Sequence, residues 1–507
     1  MSRDGPATKR LRPTVGYNGF RVPESGDVPV SADANAFFHD FIETRRPALL
    51  KHQLPIDIEQ FTLGNIEERL QYEALLQVEH KVAFGFGLGT RRELKTFAEI
   101  VDRFKQGDDR FYLTTQYDDV PEERESDSKD EGDAAAGFAG VVGSGIDSDA
   151  ASSDDSDFPE TFDGVDDFNA LNDLEADGGS PDNDQAGSED GSCLEEYVVP
   201  EHKLTEEDVR SRVKTLLQPP LTNLIRRGEL PIVPDQFRPL VTQQINLWMG
   251  CTASTPAPDL KNPSLETLGK YVPRGNSSGL HHDYADNLYV LVEGRKRFTI
   301  FLPADAEKLY TLGNVREIYA NGLIDYVVDE NAPYWRPLRA DGAIISDWAE
   351  WKLEQNNLDE KQKTLLEQLL RAETERTGKS RSDTGKRPDP PSFCKVPPLL
   401  AHLGEIEDRE TRRGLEEFAE REFPGFLLLK KLKVWLNPGD MLYLPAGWFH
   451  EVTSFGGPEK SQHVALNWWF VPPTGPASRP YEDEYWMQDF RATLAALEWT
   501  KQEKSPE

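Results

Sequence analysis

The alternation of apolar and polar positions predicts a mainly β chain with flanking helices, an α+β fold class. Residues 243–310 and 430–471 hold short runs in which apolar side chains recur at every second position, as in strands that bury one face. The clearest runs lie on either side of Glu293 and Gly294, where we expect two strands to form a hairpin. Shorter strands are predicted at residues 46–50 and 111–115.

Helical patterns mark four further segments of the chain. They span residues 36–42, 206–225, 358–377 and 482–500. The third segment is rich in Lys, Glu, Leu and Gln, so we expect an exposed helix there. The last segment is amphipathic, and its apolar stripe either packs on the chain's own domain or forms the seam of a homodimer.

The negative charge of the chain is concentrated in one segment. The sequence carries 57 Lys and Arg against 90 Asp and Glu, a formal net charge of −33. Residues 118–196 contain 27 of the acidic residues but only two basic ones, so the remainder of the chain has a net charge of −8. With four phenylalanines in 79 residues, this segment cannot bury enough apolar surface to fold. We therefore predict that it is a disordered acidic insertion.

These patterns divide the chain into five segments. They are a flexible N-terminus (1–32), the first part of a domain (33–117), the acidic insertion (118–196), the rest of that domain with a charged helical insertion at about 337–389 (197–475), and a C-terminal helix and tail (476–507).

Composition narrows the cellular setting and the partners. The chain has no apolar run long enough to span a membrane, and its first residues lack the apolar core of a secretory signal. Three scattered cysteines are too few for a disulfide framework or a cysteine zinc site. The net negative charge disfavours nucleic acid as a partner. We expect a cytoplasmic or nuclear protein that makes no membrane contact.

Two strand regions carry side chains that can bind a metal ion. In an extended chain, residues two apart share a face, so His281 and Asp283 point the same way and His282 points oppositely. His450 follows a Pro-Gly-Asp turn, a short strand and two aromatic residues. A histidine from that position would complete a set of two histidines and one carboxylate, which is typical of non-haem Fe(II) oxygenases.

Each of these residues has an ordinary explanation when taken alone. A His-x-Asp pair is commonly a hydrogen-bonded surface pair, His450 could be a core histidine, and Lys296 could be a solvated lysine near a turn. Their order along the chain is what favours a metal site. His-x-Asp is followed 15 residues after its histidine by a lysine, and then by a distant Pro-Gly-Asp and Pro-x-x-Trp-Phe-His.

This ordered set resembles the Jumonji C family of Fe(II)- and 2-oxoglutarate-dependent oxygenases. The resemblance covers about residues 35–117 and 196–475, and it is closest to the small stand-alone Jumonji C protein hydroxylases, including lysyl hydroxylases. The stretches that carry it are residues 245–250, 280–291, 440–450 and 464–469. The resemblance implies a double-stranded β-helix, the cupin or jelly-roll barrel.

The resemblance also implies a role for individual residues. His281, Asp283 and His450 would ligate Fe(II), and no catalytic residue beyond these ligands is implied. Lys296 shares strand parity with residues that face the barrel interior, so it would hold the far carboxylate of the co-substrate 2-oxoglutarate. The other residues implied to line or bond the co-substrate are Ser278, Asn287, Asn467, Tyr112 and Trp469. His282 and His463 are predicted not to be ligands.

We predict that the chain hydroxylates a side chain of a protein substrate and releases succinate and CO2. Histone N-methyl-lysine demethylation is an alternative on the same barrel, although the few cysteines exclude most of the zinc modules that accompany such demethylases. Hydroxylation of tRNA is disfavoured by the acidic surface. A catalytically inactive cupin scaffold that uses the acidic insertion to bind a partner is the remaining alternative, and the complete ligand set argues against it.

Overall fold

A computed structural model describes most of the predicted domain. The described residues are 14–15, 17, 19, 21–81, 85–86, 92–116, 204–227, 230–252, 256–329, 332, 335–355, 358–378, 390–455 and 461–502. The predicted acidic insertion therefore lies outside the described residues. Among the helices of the described ranges, none combines the length and the apolar character that crossing a membrane requires.

Most strands belong to two large sheets. The strands are β1 (Thr14–Val15), β2 (Val30–Ser31), β3 (Ala48–Leu50), β4 (Leu76–His80), β5 (Arg92–Lys95), β6 (Phe111–Leu113), β7 (Thr242–Cys251), β8 (Tyr271–Val272), β9 (Gly275–Ser277), β10 (Asp286–Glu293), β11 (Arg295–Phe301), β12 (Val315–Ile318), β13 (Ile324–Tyr326), β14 (Leu432–Leu436), β15 (Met441–Leu444), β16 (Phe449–Phe455) and β17 (Gln462–Phe470). The predicted strands at 46–50 and 111–115 correspond to β3 and β6.

The α-helices lie in the segments that connect the strands or follow the last strand. The α-helices are α1 (Ile66–Leu70), α2 (Phe97–Lys105), α3 (Glu206–Leu216), α4 (Leu265–Leu268), α5 (Ala306–Leu309), α6 (Ile345–Glu354), α7 (Glu360–Gly378), α8 (Arg409–Glu422) and α9 (Tyr485–Gln502). A π-helical turn spans Phe38–Ile42, and 3-10 turns span Ile58–Phe61, Leu221–Arg227, Asp235–Phe237, Pro303–Asp305, Pro398–Glu405 and Phe426–Leu428.

The strand order explains how the two sheets enclose a core. One sheet has nine strands in the order β2-β3-β15-β10-β17-β7-β6-β4-β5, and the other has five in the order β14-β11-β16-β9-β8. The strands at the centre pair antiparallel, and β15, β16 and β17 enter the two sheets in turn. Within the described residues, the hydrogen-bonded ladders form separate sheets and do not close into one barrel.

The prediction that the strands on either side of Glu293 and Gly294 pair as a hairpin is wrong. The two strands, β10 and β11, exist and meet at Gly294, but they enter different sheets. Both edges of β10 are occupied by β15 and β17, and both edges of β11 are occupied by β14 and β16. Gly294, with a φ of 88°, is therefore the corner at which the chain crosses from one sheet to the other.

One apolar core cluster is formed by side chains from both large sheets. Tyr289 and Leu291 of β10 face Phe298 and Ile300 of β11, and the rings of Tyr289 and Phe298 are 5.1 Å apart. Each such side chain removed from water contributes on the order of 1.5–3 kcal/mol to folding. Because this core also forms one end of a cavity, the same packing that stabilises the fold shapes the candidate site.

Ordered structure begins within the segment that the sequence predicts to be flexible. Thr14–Val15 pair with Glu317 and Ile318 in a small third sheet. Val22 and Val28 are buried, and β2 pairs with β3. Residues 1–13 lie outside the described residues.

The C-terminal helix α9 packs within the chain. Asp489 accepts a hydrogen bond from Arg212 of α3 at 2.6 Å, and the apolar residues Trp486, Phe490 and Leu497 are buried. Intrachain packing thus covers the apolar stripe, which is one of the two explanations that the amphipathic pattern allows. The homodimer stays a prediction.

The charged helical insertion contains two helices. Helix α7, Glu360–Gly378, falls where the sequence predicts an exposed helix over 358–377. Residues 346–375 belong to a second, smaller unit of the chain, and most of α6 and α7 lies in that unit.

The turn that precedes β16 requires a glycine. Gly447 has a φ of 79°, and its N–H donates to the carbonyl of Asp283 at 3.0 Å. A Cβ built on Gly447 would lie 1.8 Å from the carbonyl oxygen of Gly322. An alanine at this position cannot fit unless the turn moves away from Gly322, a shift that would also disturb the hydrogen bond to Asp283.

We predict that Gly447→Ala destabilises the protein, whereas Gly414→Ala in α8 stabilises it. The first change adds backbone strain of about 1–3 kcal/mol and a steric overlap. The second meets no atom within 4 Å and gains about 0.5–1 kcal/mol from helix propensity. Chemical denaturation of both variants measures the difference, and equal stabilities would contradict the geometry of the turn.

Candidate metal centre and the adjoining cavity

The backbone places two histidines directly opposite each other. The N–H of His281 donates to the carbonyl of His450 at 3.1 Å, and the N–H of His450 donates to the carbonyl of His281 at 2.7 Å. Opposed residues of an antiparallel pair project from the same face, so both imidazoles emerge on one side. Asp283, two residues after His281, joins them there.

The three side chains form one cluster of potential ligand atoms. One nitrogen or oxygen from each of His281, Asp283 and His450 lies within 4.8 Å of the others. The Nε2 atom of His450 is 3.8 Å from an Asp283 carboxylate oxygen, and the two imidazole centroids are 4.5 Å apart. The sequence prediction that these residues meet is therefore matched by their positions.

The hydrogen bonds behind the histidines select the nitrogen that faces the cluster. Nδ1 of His281 lies 3.0 Å from the carbonyl of Gly279, and Nδ1 of His450 lies 3.1 Å from the carbonyl of Trp448. A carbonyl only accepts, so each Nδ1 carries the proton and each Nε2 keeps a free lone pair. This is the arrangement in which metal-ligating histidines are usually held.

Electrostatics in the cluster also suit a cation. Burial lowers the pKa of His281 well below its usual value, and the neighbouring His450 lowers it further. Burial raises the pKa of Asp283, while hydrogen bonds from Asn287 and Trp469 and the charge of His450 act in the opposite direction. Two imidazoles and one carboxylate, with no further acidic ligand among the described residues, fit a divalent first-row metal such as Fe(II) and leave coordination positions open.

A cavity of about 150 Å³ adjoins the cluster and contains a buried lysine. Lys296 is 1% exposed, and its Nζ lies 5.6–5.9 Å from the ring centres of Phe86, Tyr112 and Tyr289. Across the described ranges, this ammonium has neither a hydrogen bond nor an ion pair. Burial, with a smaller contribution from Lys81, lowers the pKa of Lys296 to about 7.

The remaining predicted residues line the same cavity. The set consists of Ser278, Asn287, Asn467, Tyr112 and Trp469. Asn467 donates to Asn287 at 3.1 Å and accepts from the indole of Trp248 at 2.7 Å, so both amide side chains have fixed orientations. The Ser278 hydroxyl is engaged by the backbone, since it donates to Gly279 and accepts from the N–H of Val452. Its role towards a co-substrate stays a prediction.

Sequence reasoning missed the segment that covers His281. Phe393 stacks on the His281 ring at 5.0 Å, and the N–H of Cys394 donates to the carbonyl of Leu280 at 2.9 Å. This segment follows the charged helical insertion, more than a hundred residues after the ligand strand, and no local motif marks it. Phe393 therefore adds an aromatic wall that only the fold reveals.

The two histidines predicted not to be ligands lie apart from the cluster. His282 forms a hydrogen bond with the Tyr326 hydroxyl at 2.7 Å. His463 is fully buried 5.9 Å from the ring of Tyr112, and neither ring nitrogen has a hydrogen-bond partner among the described residues.

Comparison with known proteins agrees with this architecture. The family model described as "Cupin-like domain" matches residues 34–475. The chain is also 27% identical to the JmjC domain-containing protein 4 of the fission yeast Schizosaccharomyces pombe, an alignment that covers 90% of this chain and 87% of the relative. The family match takes in both sheets and all three potential ligands. The chain belongs to the cupin-like domain family, as its two antiparallel sheets and its sequence motifs predict.

Proposed function

We propose that this protein is an Fe(II)- and 2-oxoglutarate-dependent dioxygenase that hydroxylates a side chain of a protein substrate. Proteins of the Jumonji C type within the cupin-like family are generally oxygenases of this kind. The observation that carries the proposal is the presence, at one cavity, of a three-residue cluster of potential ligands and a buried lysine that has no anionic partner among the described residues. A scaffold protein has no need to bury such a charge.

One set of residues would bind the metal, and another would bind the co-substrate. His281, Asp283 and His450 would hold the iron and leave three positions for the co-substrate and O2. When bound, the iron would use O2 and 2-oxoglutarate to oxidise a carbon–hydrogen bond, with succinate and CO2 as the other products. Every other requirement falls on the protein: to orient both substrates and to exclude water.

Lys296 supplies the charge that a dicarboxylate needs. The 2-oxo acid end of 2-oxoglutarate would bind the metal, which would leave the far carboxylate for Lys296 in the cavity. An ammonium that meets this carboxylate away from water forms a strong charge-assisted hydrogen bond. The aromatic rings around Lys296 exclude water from that contact.

The amide side chains would orient the co-substrate near the metal. Asn287 donates to an Asp283 oxygen at 3.4 Å and accepts from Asn467, so the amide pair is connected directly to a ligand. Tyr112 lies beside Lys296 and would bind the far carboxylate with it. Phe393 would shield His281 from solvent on the opposite side.

Hydroxylation of a protein side chain, rather than demethylation of a histone, is supported by the resemblance to stand-alone Jumonji C hydroxylases and by the few cysteines. Stand-alone Jumonji C hydroxylases lack the zinc modules that accompany many demethylases, and this chain has only three cysteines.

Asp283→Ala should abolish both metal binding and turnover of 2-oxoglutarate while the fold survives. The change removes the only carboxylate of the cluster but leaves its backbone contact with Gly447 intact. Succinate release and metal titration measure the two effects, and circular dichroism checks the fold. Asp102→Ala on the exposed face of α2 is the control. Succinate release by Asp283→Ala at the wild-type rate would refute the ligand assignment.

The affinity for 2-oxoglutarate should fall as pH rises. Burial lowers the pKa of Lys296 to about 7, so the free enzyme loses this proton above that pH, whereas a bound carboxylate favours the charged lysine. Binding then takes up a proton, and the dissociation constant should rise by up to about tenfold per pH unit above pH 7. Isothermal titration calorimetry between about pH 6 and about pH 9 measures both affinity and proton uptake.

Variants at Lys296 separate this effect from other titrations nearby. Lys296→Met should cost about 2–5 kcal/mol of binding free energy at neutral pH and should remove most of the pH dependence. Lys81 and His463 contribute charge or dipoles close to Lys296, so they are left unchanged in this variant. Exposed Lys308→Met is the control. An unchanged affinity in Lys296→Met would show that the co-substrate carboxylate binds elsewhere.

The reaction type can be tested with a cell extract as the source of substrate. The protein is incubated with Fe(II), 2-oxoglutarate, O2 and extract proteins, and the masses of peptides are compared with those from the Asp283→Ala reaction. A gain of one oxygen on a side chain is the expected result. Loss of a methyl group would instead favour demethylation, and the absence of both products together with the absence of succinate would favour a scaffold.

A further inference from the structure

A buried arginine from the first part of the chain lies behind the two segments that carry the ligands. Arg45 is 5% exposed and Asp286 is fully buried. The Nη2 and Nη1 groups of Arg45 donate to the two carboxylate oxygens of Asp286 at 2.5 and 2.8 Å. This two-fold contact fixes both the distance and the relative orientation of the two groups.

Asp286 joins the two ligand-bearing segments to each other. Asp286 lies three residues after Asp283, at the start of β10, and it accepts a hydrogen bond from the N–H of Ala446 at 2.9 Å. Ala446 precedes His450 by four residues and belongs to the turn that leads into β16. The Tyr443 hydroxyl donates to the other carboxylate oxygen at 2.7 Å. The spacing between the Asp283 segment and the His450 segment therefore depends on the Asp286 carboxylate.

Arg45 is held in an unusual backbone conformation by the same turn. Its φ is 55°, in the left-handed region that residues with a Cβ seldom adopt. The indole of Trp448 donates to the Arg45 carbonyl at 3.0 Å, and Nε of Arg45 donates to the carbonyl of Asn321 at 2.8 Å. Such strain persists only where surrounding contacts impose it.

The guanidinium of Arg45 keeps its charge although it is buried. Burial alone would lower the pKa of Arg45, but attraction to Asp286 outweighs burial and raises it above the usual value. The arginine stays charged, and the carboxylate that it neutralises remains available as an acceptor for Tyr443 and Ala446. Loss of the guanidinium would leave Asp286 as an uncompensated buried charge.

We propose that Arg45 is a positioning residue for the metal centre. Arg45 holds Asp286 against the turn that leads to His450, and this contact sets the affinity for the metal. This inference rests on the proposed metal site. The competing explanation is a purely structural role, in which the buried ion pair affects only the stability of the fold. Groups that orient metal ligands change metal affinity by roughly 10–100-fold when they are removed, and that effect distinguishes the two roles.

The test compares metal affinity with stability in variants of Arg45 and of the partly buried Arg339. Full-length protein is titrated with Co(II), whose visible absorption reports the geometry of its ligands, and with Mn(II) as a second metal. Arg45→Met should weaken binding of both metals by about 10–100-fold and alter the Co(II) spectrum. Arg339→Met, which breaks a partly buried contact with Asp483 away from the cavity, should lower the melting temperature and leave metal affinity unchanged.

A second variant covers the case in which Arg45→Met does not fold. Arg45→Lys keeps the charge but loses the two-fold contact, so it should fold and bind Co(II) several-fold more weakly than wild type. Wild-type affinity and an unaltered Co(II) spectrum in whichever Arg45 variant folds would overturn the proposal. Because no turnover is measured, a wild-type protein that binds metal but is inactive would contradict the proposed function alone. A wild-type protein that binds no metal would overturn both.

Discussion

The two backbone hydrogen bonds between His281 and His450 are the constraint on which the candidate site depends. They bring together residues that are far apart in the sequence and place both imidazoles on one face. Asp283, two residues after His281, joins the histidines on that face, where its carbonyl accepts a hydrogen bond from Gly447. The carbonyls of Gly279 and Trp448 fix the ring orientation, so a ligand set of defined geometry results from ordinary sheet pairing.

The rest of the site follows from how strands are shared between the two sheets. Because the chain crosses from one sheet to the other at Gly294, Lys296 lies on the five-stranded sheet while Asn287 and Asn467 lie on the nine-stranded sheet. The cavity between them therefore has Lys296 at one end and the two amide side chains near the cluster of potential metal ligands. Arg45 and Asp286 connect this arrangement to the first part of the domain, which also contributes Phe86 and Tyr112 to the cavity.

Sequence alone predicts the central strands and the residues of the three-residue cluster well, because both depend on local patterns. Period-two alternation locates β10 and β11, a short apolar run after the Pro-Gly-Asp turn locates β15, and the His-x-Asp spacing indicates which side chains share a face. The sequence could not show that β10 and β11 belong to different sheets. The same local pattern, two strands joined by a tight turn at a glycine, occurs in a hairpin and at a corner between sheets. Phe393 and Arg45 were missed because their contacts join segments more than a hundred residues apart and no local motif reports them.

The most direct test of this account is a crystal structure of the protein with Mn(II) and 2-oxoglutarate, with the metal located by its anomalous scattering. The account predicts one Mn(II) bound by Nε2 of His281, a carboxylate oxygen of Asp283 and Nε2 of His450, with the far carboxylate of 2-oxoglutarate on Lys296. A metal bound by other residues, or a co-substrate whose far carboxylate does not contact Lys296, would contradict it.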